Sequence, residues 1–273
     1  MRANEIPFTY RHVPGSSCPV MLLPGLAGKD WMWQSTVDEL TQAGYGTIIW
    51  NAAVAQLDLD DPTSSITDLS NGAAELLDEL SIGQVLACGN SLGALIGLEF
   101  ANKHGDRTAG VVISGCPGLG EKIIDMSYFM NHDEREIVEE LRRRMFYREP
   151  DSLPKEFVEE AMDMALHRPT TLRMLKVLRA AESYDTVESL RGIDSPASLI
   201  WGEHDVITPL ENWKPYVTEF PDAELHVVPD CGHSPMIEKP DEWMDLLMDF
   251  ARRVAPGAGQ DGAAPRLLGG LSR

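Results

Sequence analysis

The chain is short of basic residues. Lys and Arg number 23 against 43 Asp and Glu, giving a formal charge of −20 at pH 7 over 273 residues. A phosphate backbone or an anionic membrane would be repelled by such a surface, so neither a nucleic-acid nor a membrane partner is expected. Cysteine is scarce as well. Cys18, Cys88, Cys116 and Cys231 are far apart and form no Cys-x-x-Cys or Cys/His cluster, which excludes a disulfide framework and a zinc site as readings of the pattern. All four lie in or beside apolar, strand-like runs, where a reduced thiol behaves as a small hydrophobe; the expectation is free thiols, no metal and a cytoplasmic location. No apolar run is long enough to span a bilayer. The opening Met-Arg-Ala-Asn-Glu-Ile-Pro lacks the charged-then-apolar pattern of a secretory signal. Nucleotide fingerprints are missing too: Gly115-Cys116-Pro117-Gly118-Leu119-Gly120 has the wrong glycine spacing. No cofactor is expected, and no internal repeat is visible.

What is present is a core. Apolar residues make up 43% of the chain, too many for a disordered protein. Short apolar runs alternate with helical patterns: Val20–Leu23, Thr47–Trp50, Val85–Cys88, Val111–Ile113, Ala197–Trp201 and Leu225–Val228. Runs apolar on both faces and rich in β-branched residues suit strands buried in a parallel sheet. Between two of them Ile66, Leu69, Ala73, Leu76, Leu77 and Leu80 recur at helical spacing, with Ser65 placed to cap and Asp68 three residues on. The alternation predicts an α/β, doubly wound, mostly parallel sheet of about eight strands with helices on both faces. One stretch, 119–191, has helical patterns but no strand candidate and reads as an inserted helical lid. The core would then span 1–118 and 192–255, with a disordered Gly/Ala/Pro-rich tail at 256–273.

Gly89-Asn90-Ser91-Leu92-Gly93 sits where an apolar strand ends and an apolar helix begins. A Gly-x-Ser-x-Gly turn at that junction lifts the serine hydroxyl clear of the sheet, and glycines at both ends remove the Cβ atoms that would collide inside it. A serine hydroxyl needs a base. Of the seven histidines, His233 is placed best, in a loop just beyond the strand run Leu225–Val228. The base needs an orienting carboxylate, and Asp205, leaving the end of another strand, is the choice; Glu203 competes for the role.

The order Ser91, Asp205, His233, with each residue at a strand end, resembles the α/β-hydrolase fold superfamily of the serine-hydrolase type with a helical cap, over about Cys18 to Ala251. The resemblance implies an oxyanion hole made by two backbone N–H groups. By position these belong to Leu92, after the nucleophile, and Leu26, in the loop after the third strand of the family's count. Two departures stand out. Pro24-Gly25 replaces the usual His-Gly pair, and Trp50-Asn51-Ala52-Ala53-Val54-Ala55-Gln56 replaces the common Asp-x-Arg-Gly-x-Gly-x-Ser run after the fourth strand.

Six of the chain's 12 methionines fall between 121 and 191, a composition that suits an apolar pocket roofed by the insertion. Its expected walls are Trp31, Trp33, Met126, Phe129, Met130, Phe146 and Met236. The leading expectation is hydrolysis of an ester, lactone or related acyl group in a small to medium apolar substrate, by a monomer or homodimer. Alternatives use the same three residues for carbon–carbon bond hydrolysis, which Gly89-Asn90-Ser91 resembles, or for elimination in natural-product (secondary) metabolism. A further alternative, outside enzymology, is a ligand receptor on a retired hydrolase fold.

Overall fold

The computed structural model describes residues 10–26, 28–51, 65–120, 132–148, 153, 155–166 and 168–255. They build a seven-stranded sheet: β1 (Tyr10–Val13), β2 (Ser17–Leu23), β3 (Tyr45–Trp50), β4 (Val85–Asn90), β5 (Thr108–Ser114), β6 (Ala197–Gly202) and β7 (Ala223–Val228). The order across the sheet is β1-β3-β2-β4-β5-β6-β7, with every pairing parallel except β1 on β3. All six runs read from the sequence are strands. The seventh, Tyr10-Arg11-His12-Val13, is an edge strand with one exposed and three half-buried residues, so it has no apolar signature to read. The expected count of about eight is therefore seven among the described residues. The expected disordered tail, 256–273, lies outside them.

Strand alternation divides the core. Met21, Leu23, Ala87, Val111, Ile113, Leu199 and Trp201 face one side, against α2 (Ile66–Glu79), α3 (Leu92–Lys103) and α7 (Thr186–Leu190). Val20, Leu22, Leu86, Cys88, Val112 and Ile200 face the other, against α1 (Gln34–Gln42) and α10 (Pro240–Val254). Successive side chains of a strand point to opposite faces, so a sheet covered twice needs both sets apolar. The α2 start follows its sequence signal: Ser65 and Asp68 form a reciprocal capping box. Between β5 and β6 the described residues are helical throughout their regular structure, as α4 (Glu134–Met145), α5 (Lys155–Leu166), α6 (Arg168–Glu182) and α7. The remaining helices are α8 (Leu210–Trp213) and α9 (Pro235–Glu238). Among the described residues no helix is long and apolar enough to cross a membrane, and all four cysteines are free.

The strand order sets the place of the site. From β2 the chain moves one way to β3, then crosses back to β4 on the other side of β2. Loops leaving the carboxyl ends of β2 and β4 part in opposite directions and leave a crevice, where ligands of open α/β sheets bind.

Candidate active site

Ser91 alone makes the turn between β4 and α3. Its φ of 55° and ψ of −124° lie where a non-glycine residue rarely sits, at a cost of about 1–3 kcal/mol. The flanking glycines permit it. A Cβ on Gly89 would lie 2.2 Å from Gly93 O, and one on Gly93 would lie 1.9 Å from Leu23 O. The Ser91 N–H donates to Ser114 O at 2.8 Å, pinning the elbow to the end of β5. The loop after β2 lies against it: a Cβ on Gly25 would come 3.1 Å from Ser91 Cβ. That loop turns at once, Gly28 N–H donating to Gly25 O at 3.0 Å, and Leu26 packs partly buried on the core. Leu92 is the first residue of α3, so its N–H belongs to the helix's unpaired first turn.

His233 and Asp205 lie side by side, both buried. His233 Nδ1 lies 2.8 Å from Asp205 Oδ2. An ionised carboxylate only accepts hydrogen bonds, so on this side of the ring Nδ1 carries a proton and donates. Asp205 is itself held: Oδ1 accepts the N–H groups of Ile207 and Thr208, each at 2.9 Å, and Oδ2 accepts the Thr208 hydroxyl at 2.8 Å. Burial alone would raise the carboxyl's pKa. The charge and hydrogen bond of His233 and the two bonds from Thr208 outweigh it and hold the pKa below the ordinary carboxylate value. Glu203, the competing acid, points elsewhere: it lies 3.6 Å from His204 Nε2 and accepts the Asp230 N–H at 3.4 Å.

Asn90, just before the serine, ties the elbow to the histidine. Its buried side-chain amide donates to His233 O at 3.0 Å and to Ser114 O at 3.3 Å. Gly115, at φ 56°, closes the gap beneath the ring, since a Cβ there would lie 2.6 Å from His233 Cε1. Sequence reasoning passed over Asn90, Thr208 and Gly115 as site residues. A signal for Thr208 exists in its spacing, three residues after an Asp at a strand end; Gly115 has no local signal.

The expected pocket residues divide. Trp31 meets Phe157 edge-on at 6.0 Å, and Phe157 meets Phe146 at 5.6 Å, so an aromatic cluster joins the loop after β2 to α4 and α5. Trp33 packs in the core: it is fully buried, its ring 5.9 Å from that of Trp243 in α10. Met236 packs into the same core cluster. Met126, Phe129 and Met130 lie outside the described residues. Phe157 was missed, because an aromatic at a helical position reads as packing. Among the described residues no group of three His, Cys, Asp or Glu side chains is placed to hold a metal ion.

With this geometry in view, the comparisons with known proteins are consistent with one another. A family model described as "Alpha/beta hydrolase family" matches residues 20–246. A 2-hydroxy-6-oxononadienedioate/2-hydroxy-6-oxononatrienedioate hydrolase of Burkholderia vietnamiensis is 27% identical over 249 residues, 84% of each chain. Among solved structures, the enol-lactonase of Burkholderia xenovorans matches with a TM-score of 0.73 at 20% identity, covering 89% of this chain and 95% of that one. A thermophilic esterase of Thermogutta terrifontis gives 0.70 at 22%, covering 90% and 93%. At these identities the structural matches speak for the fold alone.

Proposed function

The chain belongs to the alpha/beta hydrolase family, and from that premise we propose that it is a serine-dependent hydrolase of a neutral, mainly apolar ester, lactone or related acyl compound. The carrying observation is the meeting of four loops at one end of the sheet: the positive-φ Ser91 elbow, tied to the histidine loop by Asn90, the loops of the 2.8 Å His233–Asp205 pair, and the Gly25 loop against Ser91.

In this reading Ser91 Oγ attacks the substrate carbonyl carbon while His233 Nε2 takes its proton. Asp205 keeps the ring in the required tautomer and stabilises the imidazolium. The carbonyl oxygen, now an anion, faces the N–H groups of Leu92 and Leu26 and the positive end of α3. His233 gives its proton to the leaving oxygen. Water then attacks the acyl-enzyme by the same route and frees the acid. Segment 119–191 acts as a cap, with Trp31, Phe157 and Phe146 as one apolar wall. The four free cysteines fit a reducing, cytoplasmic setting.

A second reading, hydrolysis of a carbon–carbon bond in a vinylogous diketone, is favoured by Gly89-Asn90-Ser91 and by the name of the Burkholderia vietnamiensis relative. The test is a series of p-nitrophenyl esters of graded chain length, run beside a 2-hydroxy-6-oxo-dienoate. Ester rates should rise with acyl length, and Ser91→Ala should lose on the order of 10³-fold or more with the fold intact. Retained turnover in Ser91→Ala would sink the mechanism. Consumption of the dienoate with no turnover of any ester would move the assignment to carbon–carbon cleavage.

A further inference from the structure

The backbone of His233 is held from two sides. Its C=O accepts from Asn90, and its N–H donates to Met145 O, the last residue of α4, at 2.9 Å. The base therefore takes part of its position from the helical insertion. The two backbones touch: a Cβ on Gly232 would lie 2.7 Å from Tyr147 N and 2.9 Å from Met145 O.

Something must keep the chain leaving α4 on the histidine loop. The Arg148–Asp230 ion pair spans 3.2 Å, but its side chains are 69% and 48% exposed, so solvent screens it. Tyr147 stacks on His204 at 3.8 Å with its own ring half in solvent. Glu238, at the end of α9, does more. One carboxylate oxygen accepts the Gly232 N–H, the residue before His233, and the other accepts the Arg148 N–H at 3.0 Å. Both are charge-assisted bonds to backbone donors, which are stronger than neutral ones, and neither depends on a long flexible side chain on the far side.

We infer that Glu238 is a positioning residue for His233: its single carboxylate clamps the histidine loop to the segment that leaves α4, so that loop and insertion move as one body. The inference rests on the reading of His233 as the base. It assigns the insertion a second task beside covering substrate, namely holding the base over the Ser91 elbow. Without the clamp the His233 N–H to Met145 O bond loses its neighbours, and the imidazole drifts relative to the serine.

The test uses Glu238→Gln, which keeps shape but turns one acceptor into a donor, and Arg148→Pro, which removes the N–H from the other side. The readouts are the rate of Ser91 labelling by a fluorophosphonate and kcat and KM on p-nitrophenyl butyrate. Each variant should lose on the order of tenfold to a hundredfold in labelling rate and kcat, as a displaced catalytic group does, with KM within about twofold. The double variant should lose no more than the worse single one, because both break one device. Wild-type labelling in either folded variant, or losses that multiply in the double, would overturn the clamp. Native-state hydrogen exchange on the wild type tests it without any substitution. The Gly232 and Arg148 amides should open together, and protection differing by more than about tenfold would also overturn it. Failure of the base reading shows separately, as labelling or turnover that survives His233→Ala.

Discussion

The carboxyl end of the sheet and the helical segment between β5 and β6 are built differently. At the sheet end every residue of β3, β4 and β6 is buried, and so is α3 from Leu92 to Ala101. Glycine and serine sit where backbone meets backbone at contact distance. In the insertion, α4 buries only Ile137 among its described side chains; Asp133 and Glu136 cap it, and three arginines close its last turn, each favourable to the helix dipole. Its ion pairs, Arg142–Glu139 and Arg143–Glu140, sit at i,i+3 on a solvated face. A rigid end fixes atoms that must react, and a lightly packed helix such as α4 can adapt to what they react with.

The comparison can be broken hardest at the rigid end. Asp205→Asn keeps the shape and removes the charge and the tautomer control, and turnover should fall on the order of 10⁴-fold. The same variant carries a stability test. The folded pKa of Asp205 is depressed, so its contribution is fully present above the unfolded value, about 3.9, and is lost as pH falls through the folded value. The gap in thermal midpoint between wild type and Asp205→Asn should therefore narrow below about pH 4. A gap that stayed constant into acid would refute the charge argument.

Gly115→Ala comes next. Its Cβ would press on the His233 ring at a φ that disfavours alanine, and a displaced base should cost on the order of 10²-fold in kcat. Fluorophosphonate labelling would read the loss without a known substrate, and an unchanged rate would mean that the ring yields freely.

In the insertion, Phe157→Ala should act differently. Removing the ring between Trp31 and Phe146 should raise KM by roughly tenfold while kcat holds, the mark of lost ground-state binding. A loss confined to kcat would place Phe157 with the rigid end instead. Smallest of all, Arg143→Ala removes a residue 74% exposed and should shift stability by no more than about 0.5 kcal/mol in chemical denaturation.

Much of the molecule was legible because its signals are local. Short runs apolar on both faces announced six of the seven strands, and a capping box announced α2. Gly89 and Gly93 announced the elbow, since a turn that tight excludes Cβ whatever lies around it. The edge strand β1 was not legible: Tyr10-Arg11-His12-Val13 is four residues with one exposed and none fully buried, too short and polar to form an apolar run. Nor was the division of the tryptophans. Trp31 and Trp33 stand two residues apart in one short 3₁₀ turn, and only the arrival of Trp243 from α10 makes Trp33 core.

Chain order and local pattern alone determined that this protein is an α/β sheet with a serine elbow, an acid and a histidine at strand ends. Tertiary structure decided which acid meets the ring, because Asp205 and Glu203 are two residues apart and the turn after β6 aims them at different partners. It also decided that Gly115 must leave room for His233, that Phe157 joins Trp31 to Phe146, and that Glu238 reaches Arg148 ninety positions away. Periodicity records what a residue's neighbours in sequence require. A contact across ninety residues exists only once sheet and insertion have packed, and no local pattern carries it.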